Sequence, residues 1–234
     1  MAQRGILILT LVASLLSACA PSPIKFAPEQ RNQIKNHPRL TVAYLAPPRF
    51  HVNTKGKAVG GFMGGFLFGL LFLPAAVAMD SSDGDLQSAY HLDDPTNEIE
   101  AQLVTILTQQ LQLTDIRPAQ PVDFWDSPAG LRQRFEKGIS LEVQTISWGL
   151  DYTSWSRLHF KLVARVRLVS LDDETVLWLD SCRVNQENDD RDSTLEEYKA
   201  NNGALIKAKL REATHACIAQ LSDKLYGRSV PSST

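Results

Sequence analysis

Apolar and polar residues alternate through the C-terminal half of the chain. They alternate over 139–148, and over 160–168 the even positions are mostly apolar while Lys161, Arg165 and Arg167 are odd. Such alternation buries one face of a β-strand and leaves the other polar. A third β-prone run, 175–184, follows a turn at 172–174. The pattern predicts a three-stranded antiparallel meander over 139–184.

Helical spacing occurs on both sides of this meander. Asp94 and Pro95 provide a cap and a first helical residue for an amphipathic helix that ends near Leu111. Ser193 with Glu196 resembles a capping box and opens a helical region that runs to about residue 225, with a possible break at 201–203. Its longer piece carries one apolar stripe, consisting of Ile206, Leu210, Ala213, Cys217 and Leu221.

Shorter elements complete the predicted order. A strand at 40–45 ends before Pro47 and resumes at 50–52, and a further strand lies near 115–119. A short helix is predicted over 127–135, closed by Gly138. The whole order predicts an α+β fold, with a mostly antiparallel or mixed sheet and helices on one face. This order is similar to that of small envelope-lipoprotein modules, such as the curli-secretion lipoprotein and the N-terminal domain of the Tol translocation protein.

A glycine-rich apolar insertion interrupts the predicted domain over 53–92. Its centre, 58–79, is 22 residues long and carries no charge, which is long enough to match a bilayer core. Glycines at intervals of four allow close helix contact. We expect membrane or partner contact through Gly60, Gly61, Gly64, Gly65, Gly69, Phe62 and Phe66. The alternatives are that the insertion is buried against protein, including a second copy of the chain, or that it forms a loose loop.

The N-terminus resembles that of bacterial lipoproteins. Residues 1–18 form a short export signal, in which Arg4 supplies a positive charge and 6–16 is apolar. The signal leads into Leu16-Ser17-Ala18-Cys19, which looks like a lipobox. The resemblance implies cleavage before Cys19, acylation of its thiol and amine with chains such as palmitate, and a membrane anchor in the cell envelope. Ala20 in place of aspartate implies the outer membrane, with the protein facing the periplasm.

The anchor constrains the rest of the chain. We expect a flexible tether over 19–38, a single periplasmic domain over 39–226 and a polar tail over 227–234. A single membrane crossing by the insertion would separate the first strand from the remaining strands. The insertion is therefore expected to leave and re-enter on the same side of the membrane.

Net charge and cysteine content bear on the expected partners and on a disulfide. The net charge is −2, and removal of Arg4 with the signal makes it −3, so nucleic acid is not an expected partner. Once Cys19 carries lipid, Cys182 and Cys217 remain, and an even pair in an oxidising compartment predicts a disulfide. Two buried free thiols are the alternative.

The sequence contains no arrangement of residues that identifies an enzymatic reaction. The histidines are scattered, at positions 37, 51, 91, 159 and 215, without the spacing of a zinc site. We expect no catalytic residues, metal or cofactor. The sequence favours a non-enzymatic envelope module that binds a protein partner or itself. The alternatives are a cell-envelope hydrolase and a subunit of an oligomeric secretion or transport complex.

Overall fold

A mixed β-sheet forms the centre of the described part of the chain. The computed structural model describes residues 22–34, 39–53, 86–122, 126–154, 157–186 and 193–227. The predicted lipobox and the 58–79 insertion, with its glycine and phenylalanine positions, lie outside these residues. The elements are α1 Pro28–Ile34, β1 Arg39–Tyr44, β2 His51–Asn53, α2 Leu86–Tyr90, α3 Pro95–Leu111, β3 Asp115–Pro121, α4 Pro128–Phe135, β4 Ile139–Ser154, β5 Arg157–Ser170, β6 Thr175–Asn185 and α5 Leu195–Leu225.

The sheet combines parallel and antiparallel pairing. Within the described residues its order is β3-β1-β4-β5-β6, and β2 pairs with the far end of β4. β1 lies parallel to both β3 and β4, whereas β4, β5 and β6 form the predicted antiparallel meander. The parallel pairs require crossover connections, which contain α3 and α4. The α+β prediction is confirmed.

The main core lies between the sheet and two long helices. α3 buries Ile99, Leu103 and Leu107, and α5 buries Ile206 and Leu221 against β4, β5 and β6. A disulfide joins Cys182 of β6 to Cys217 of α5, with a Cα–Cα distance of 5.2 Å. The bond therefore ties the helix layer to the sheet at the pair of cysteines that the sequence predicts.

The short helix α4 contacts a second, smaller cluster. Leu131 lies there with Ala43, Leu45, Val169 and Leu171. The strand alternation places these sheet residues on the face opposite α3 and α5. One end of the second sheet face is thus covered as well, in addition to the predicted helix layer on the first face.

The N-cap of α5 differs from the predicted one by one residue. Thr194 and Glu197 form the capping box, in place of Ser193 and Glu196. Ser193 instead exchanges backbone hydrogen bonds with Leu158, at 2.8 and 3.2 Å. That extended pairing keeps Ser193 outside the helix, so the cap falls on the next hydroxyl residue.

The predicted break in the C-terminal helix is present. Asn201, Asn202 and Gly203 all have positive φ values inside the span of α5. The Tyr90 ring packs against Gly203, where a Cβ would lie 2.6 Å from the ring. Glycine therefore allows α2, which lies at the end of the predicted 53–92 insertion, to contact α5.

Two segments are more ordered than the sequence pattern indicates. Residues 22–34, expected as tether, contain α1 and bury Phe26 and Ile34. Leu86 and Leu92, expected within the insertion, are also core residues. Their apolar residues are too widely spaced to form a helical or strand period, so sequence patterning alone misses their burial.

Candidate functional site

The second face of the central strands carries several charged side chains that are buried or half-buried. The odd-numbered residues of β5 and their partners on β4 point away from α3 and α5. We call this surface the polar face. Its principal polar residues are Glu142, Gln144, Asp151, Lys161, Arg165 and Arg167.

An arginine pair lies at the centre of the polar face. The register places Arg167 opposite Glu142 and Arg165 opposite Gln144. Arg167 donates to both carboxylate oxygens of Glu142, with a distance of 2.8 Å from Nη2 to Oε1, and Nη2 also donates to the Asp126 carbonyl oxygen. Arg165 donates to the Gln144 amide oxygen at 3.0 Å. One arginine thus faces a carboxylate and the other a neutral amide.

These four residues line a cavity of about 190 Å³ together with Leu45, Val176 and Leu179. We call this cavity the arginine pocket. Burial lowers the pKa of Arg165 and the neighbouring charge of Arg167 lowers it further, while the charge of Glu142 acts in the opposite direction. The described lining of the pocket therefore combines two guanidinium groups, one carboxylate and an apolar wall.

A second cluster lies further along β4. Asp151 accepts hydrogen bonds from Asn53 at 2.8 Å and Lys161 at 3.1 Å, and its Oδ1 lies 3.2 Å from His51 Nε2. The hydrogen bond with His51 is the main reason that the pKa of Asp151 is held well below its usual range. His51 and Asn53 belong to β2, which immediately precedes the insertion. The Asp151 cluster therefore holds β2 against β4 at the last described residues before the centre of the insertion.

Gly149 makes this arrangement possible. Its backbone pairs with His51 in the β2–β4 register. A Cβ at Gly149 would overlap the His51 carbonyl oxygen and lie 2.8 Å from the imidazole ring. A side chain at this position would displace β2, so glycine is required for the close approach of the two strands.

An open pocket of about 500 Å³ lies beside the cluster and is lined by His51, Ser147 and Asp151 among others. These are the residue types of a serine hydrolase, which is one kind of the cell-envelope hydrolase that the sequence leaves as an alternative. Within the described residues, however, His51 and Ser147 are not joined by a hydrogen bond. The described residues also contain no group of three or more His, Cys, Asp or Glu side chains that could hold a metal ion.

The two edges of the sheet are protected against pairing with another strand. On β6, Ile24 bonds to the N–H and C=O of Leu179, and the Gln220 side chain bonds to both backbone groups of Arg183. On β3, Pro118 and Pro121 have no N–H to donate. Blocked edges disfavour the addition of another strand.

Two tryptophans of the meander lie in the core, and His159 and His215 lie on opposite sides of the sheet. Trp148 and Trp178 are core residues, and Trp148 Nε1 donates to the Pro48 carbonyl oxygen at 2.8 Å. His159 is buried opposite Asp151, whereas His215 lies 3.1 Å from Glu98 on the exposed helix layer. None of the described helices has both the length and the apolarity needed to cross a bilayer.

Sequence reasoning missed both polar clusters. The signal was present in the odd-numbered polar residues of β5, which the alternation assigns to a solvent-facing side. The sequence pattern shows that charged side chains lie on a predicted solvent-facing side, but it does not show which of them contact one another. That information requires the β4–β5 register and the contact of β2 with β4 across Gly149.

No family model and no curated protein sequence matches this chain. Its fold is similar to that of a DUF330 protein from Xanthomonas campestris, with 13% identity, 81% of this chain and 85% of that chain covered, and a TM-score of 0.39. The PelC dodecamer from Paraburkholderia phytofirmans has 10% identity, coverages of 88% and 95%, and a TM-score of 0.34. Lipoprotein GNA1162 from Neisseria meningitidis has 16% identity, coverages of 76% and 98%, and a TM-score of 0.26. Similarities this low assign neither a family nor a function.

Proposed function

We propose that this protein is an outer-membrane lipoprotein, anchored through acylated Cys19, whose periplasmic domain is a non-enzymatic interaction or assembly module. The disulfide between Cys182 and Cys217 is the structural observation that carries this proposal. Both cysteines are fully buried, and a disulfide in the core is typical of proteins that fold outside the reducing cytosol. It agrees with the export signal and lipobox-like ending at Cys19.

The surface of the domain supports a binding role. Its sheet edges are blocked, while its polar face has a pocket with buried charge. The Asp151 cluster holds β2 on the sheet next to the start of the glycine-rich insertion. We propose that this insertion contacts the membrane, an envelope partner or a second copy of the chain through its glycines and through Phe62 and Phe66.

The hydrolase alternative has weaker support. His51 and Asp151 are hydrogen-bonded, but a serine hydrolase also needs a nucleophile within hydrogen-bond reach of the histidine. Ser147 lines the same pocket without such a bond among the described residues. The arrangement is explained by its role in fixing β2 against β4.

Site-specific photo-crosslinking in intact cells tests the role of the insertion. A photoreactive amino acid replaces Phe66 in one variant and Gln109, an exposed residue of α3, in the control. We expect the Phe66 position to crosslink to lipid, to an envelope protein or to a second copy, and to do so several-fold more than the Gln109 position. Equal crosslinking at both positions would contradict the proposed contact.

A further inference from the structure

The N-terminal segment and the end of α5 meet on the same stretch of β6. Ile24 exchanges backbone hydrogen bonds with Leu179 of β6, at 2.8 and 3.0 Å. On the next residue of β6, the Asp180 carboxylate accepts a hydrogen bond from Lys224 of α5 at 2.8 Å. These contacts place the start of the described chain and the end of α5 side by side at one end of the domain.

Large apolar side chains are exposed on both of these segments. Ile24 is 38% exposed, and Tyr226, which directly follows α5, is 40% exposed. Lys25 is exposed next to Ile24. We call the surface formed by Ile24, Lys25 and Tyr226 the terminal surface. Single exposed apolar residues are common on proteins, so the location of this surface must show whether it has a role.

The terminal surface lies close to the expected lipid anchor. Ile24 follows Cys19 by five residue steps, and five extended residues span at most about 18 Å. A lipid on Cys19 therefore keeps the terminal surface near the headgroups of the bilayer. The short length of this connection identifies the bilayer as the partner that the surface meets.

The three side chains fit the interfacial region of a bilayer. Tyrosine is enriched at this depth because its ring is apolar and its hydroxyl group is polar. Burial of the isoleucine side chain is favourable, and a lysine near the surface is attracted to anionic headgroups. We propose that Ile24, Lys25 and Tyr226 form a membrane-docking surface that orients the domain on the phospholipid bilayer. This inference rests on the proposed lipidation of Cys19.

Quenching by brominated lipids tests this inference on the mature, lipidated protein. A polarity-sensitive fluorescent amino acid replaces Tyr226 in one variant and Ile116 in the control. Ile116 is 39% exposed and belongs to β3, at the opposite edge of the sheet. Each variant is extracted from bacterial membranes and reconstituted into vesicles of phosphatidylethanolamine and phosphatidylglycerol with brominated acyl chains. We expect several-fold more quenching at position 226 than at position 116.

Ile24→Ser tests whether Ile24 and Tyr226 dock together. The substitution removes apolar area but leaves the backbone hydrogen bonds to Leu179 possible. Quenching at position 226 should therefore fall in Ile24→Ser and stay the same in Ile116→Ser. Thermal unfolding checks that each variant is folded. Unchanged quenching at position 226 in folded Ile24→Ser would overturn the proposed surface.

Vesicle flotation separates this inference from lipidation itself. A protein that does not float with the vesicles lacks the anchor, which contradicts the proposed function and this inference with it. A protein that floats, but is quenched equally at positions 226 and 116, overturns the docking surface alone. Protection of position 226 in intact cells without quenching on these vesicles also overturns it, in favour of a protein partner.

Discussion

Asp151 contributes stability that depends on pH. Its pKa is lowered mainly by the hydrogen bond with His51, so folding favours its ionised form. Stability from such a group is present above the unfolded pKa of about 3.9 and is lost as the pH falls through the lower folded pKa. Asp151 is half-buried, so solvent screening reduces the effect.

We therefore expect Asp151→Asn to lower the free energy of unfolding by about 1–2 kcal/mol at pH 7. The difference from the unmodified protein should shrink as the pH falls below about 4. Urea unfolding at several pH values measures both quantities. The difference shrinks because low pH protonates Asp151 in the unmodified protein, and protonation removes the same charge that the substitution removes.

Glu100 is a matched control with the opposite sign. Burial, followed by the charge of Asp94, raises the pKa of Glu100, so ionisation of this side chain opposes folding at neutral pH. Glu100→Gln should therefore leave the stability at pH 7 unchanged or slightly higher. Our explanation of Asp151 is wrong if both variants lower stability equally and with the same pH dependence.

At the scale of elements, the disulfide connects β6 and α5, two neighbouring layers of the fold. It spans a sequence separation of 35 residues. Under the chain-entropy model, closing a loop of this length stabilises the folded state by roughly 3–4 kcal/mol.

The double variant Cys182→Ala and Cys217→Ala should lose about this much free energy of unfolding. Denaturant unfolding with and without reductant measures the effect. Reductant should destabilise the unmodified protein and leave the double variant unchanged. If the unmodified protein has the same free energy of unfolding after its disulfide has been reduced in the unfolded state, the bond does not contribute this stability.

The long periodic elements could be predicted from the sequence, whereas contacts between distant segments could not. α3, α5 and the β4–β6 meander have apolar residues at regular intervals, and their caps or turns are local signals. Residues 22–34 have no such period, because Phe26 and Ile34 are isolated apolar positions that become buried only through tertiary contact. The meeting of His51 with Asp151 likewise depends on a strand pairing 100 residues apart in sequence.

At the scale of the whole molecule, the N-terminal segment fixes the domain close to its expected anchor. Ile24 bonds to Leu179, and Arg31 donates to the Leu225 carbonyl oxygen at 2.7 Å. Only five residue steps separate Cys19 from Ile24, and five extended residues span at most about 18 Å. A lipid at Cys19 would therefore hold the β6 edge near the membrane surface.

Intact mass spectrometry of the protein extracted from bacterial membranes tests the proposed lipoprotein identity most directly. We predict a chain that begins at Cys19 and carries the additional mass of a diacylglyceryl group and an amide-linked acyl chain. Cys19→Ser should remain uncleaved and without lipid. An unmodified Cys19, or a mature chain that begins at another residue, would contradict the account.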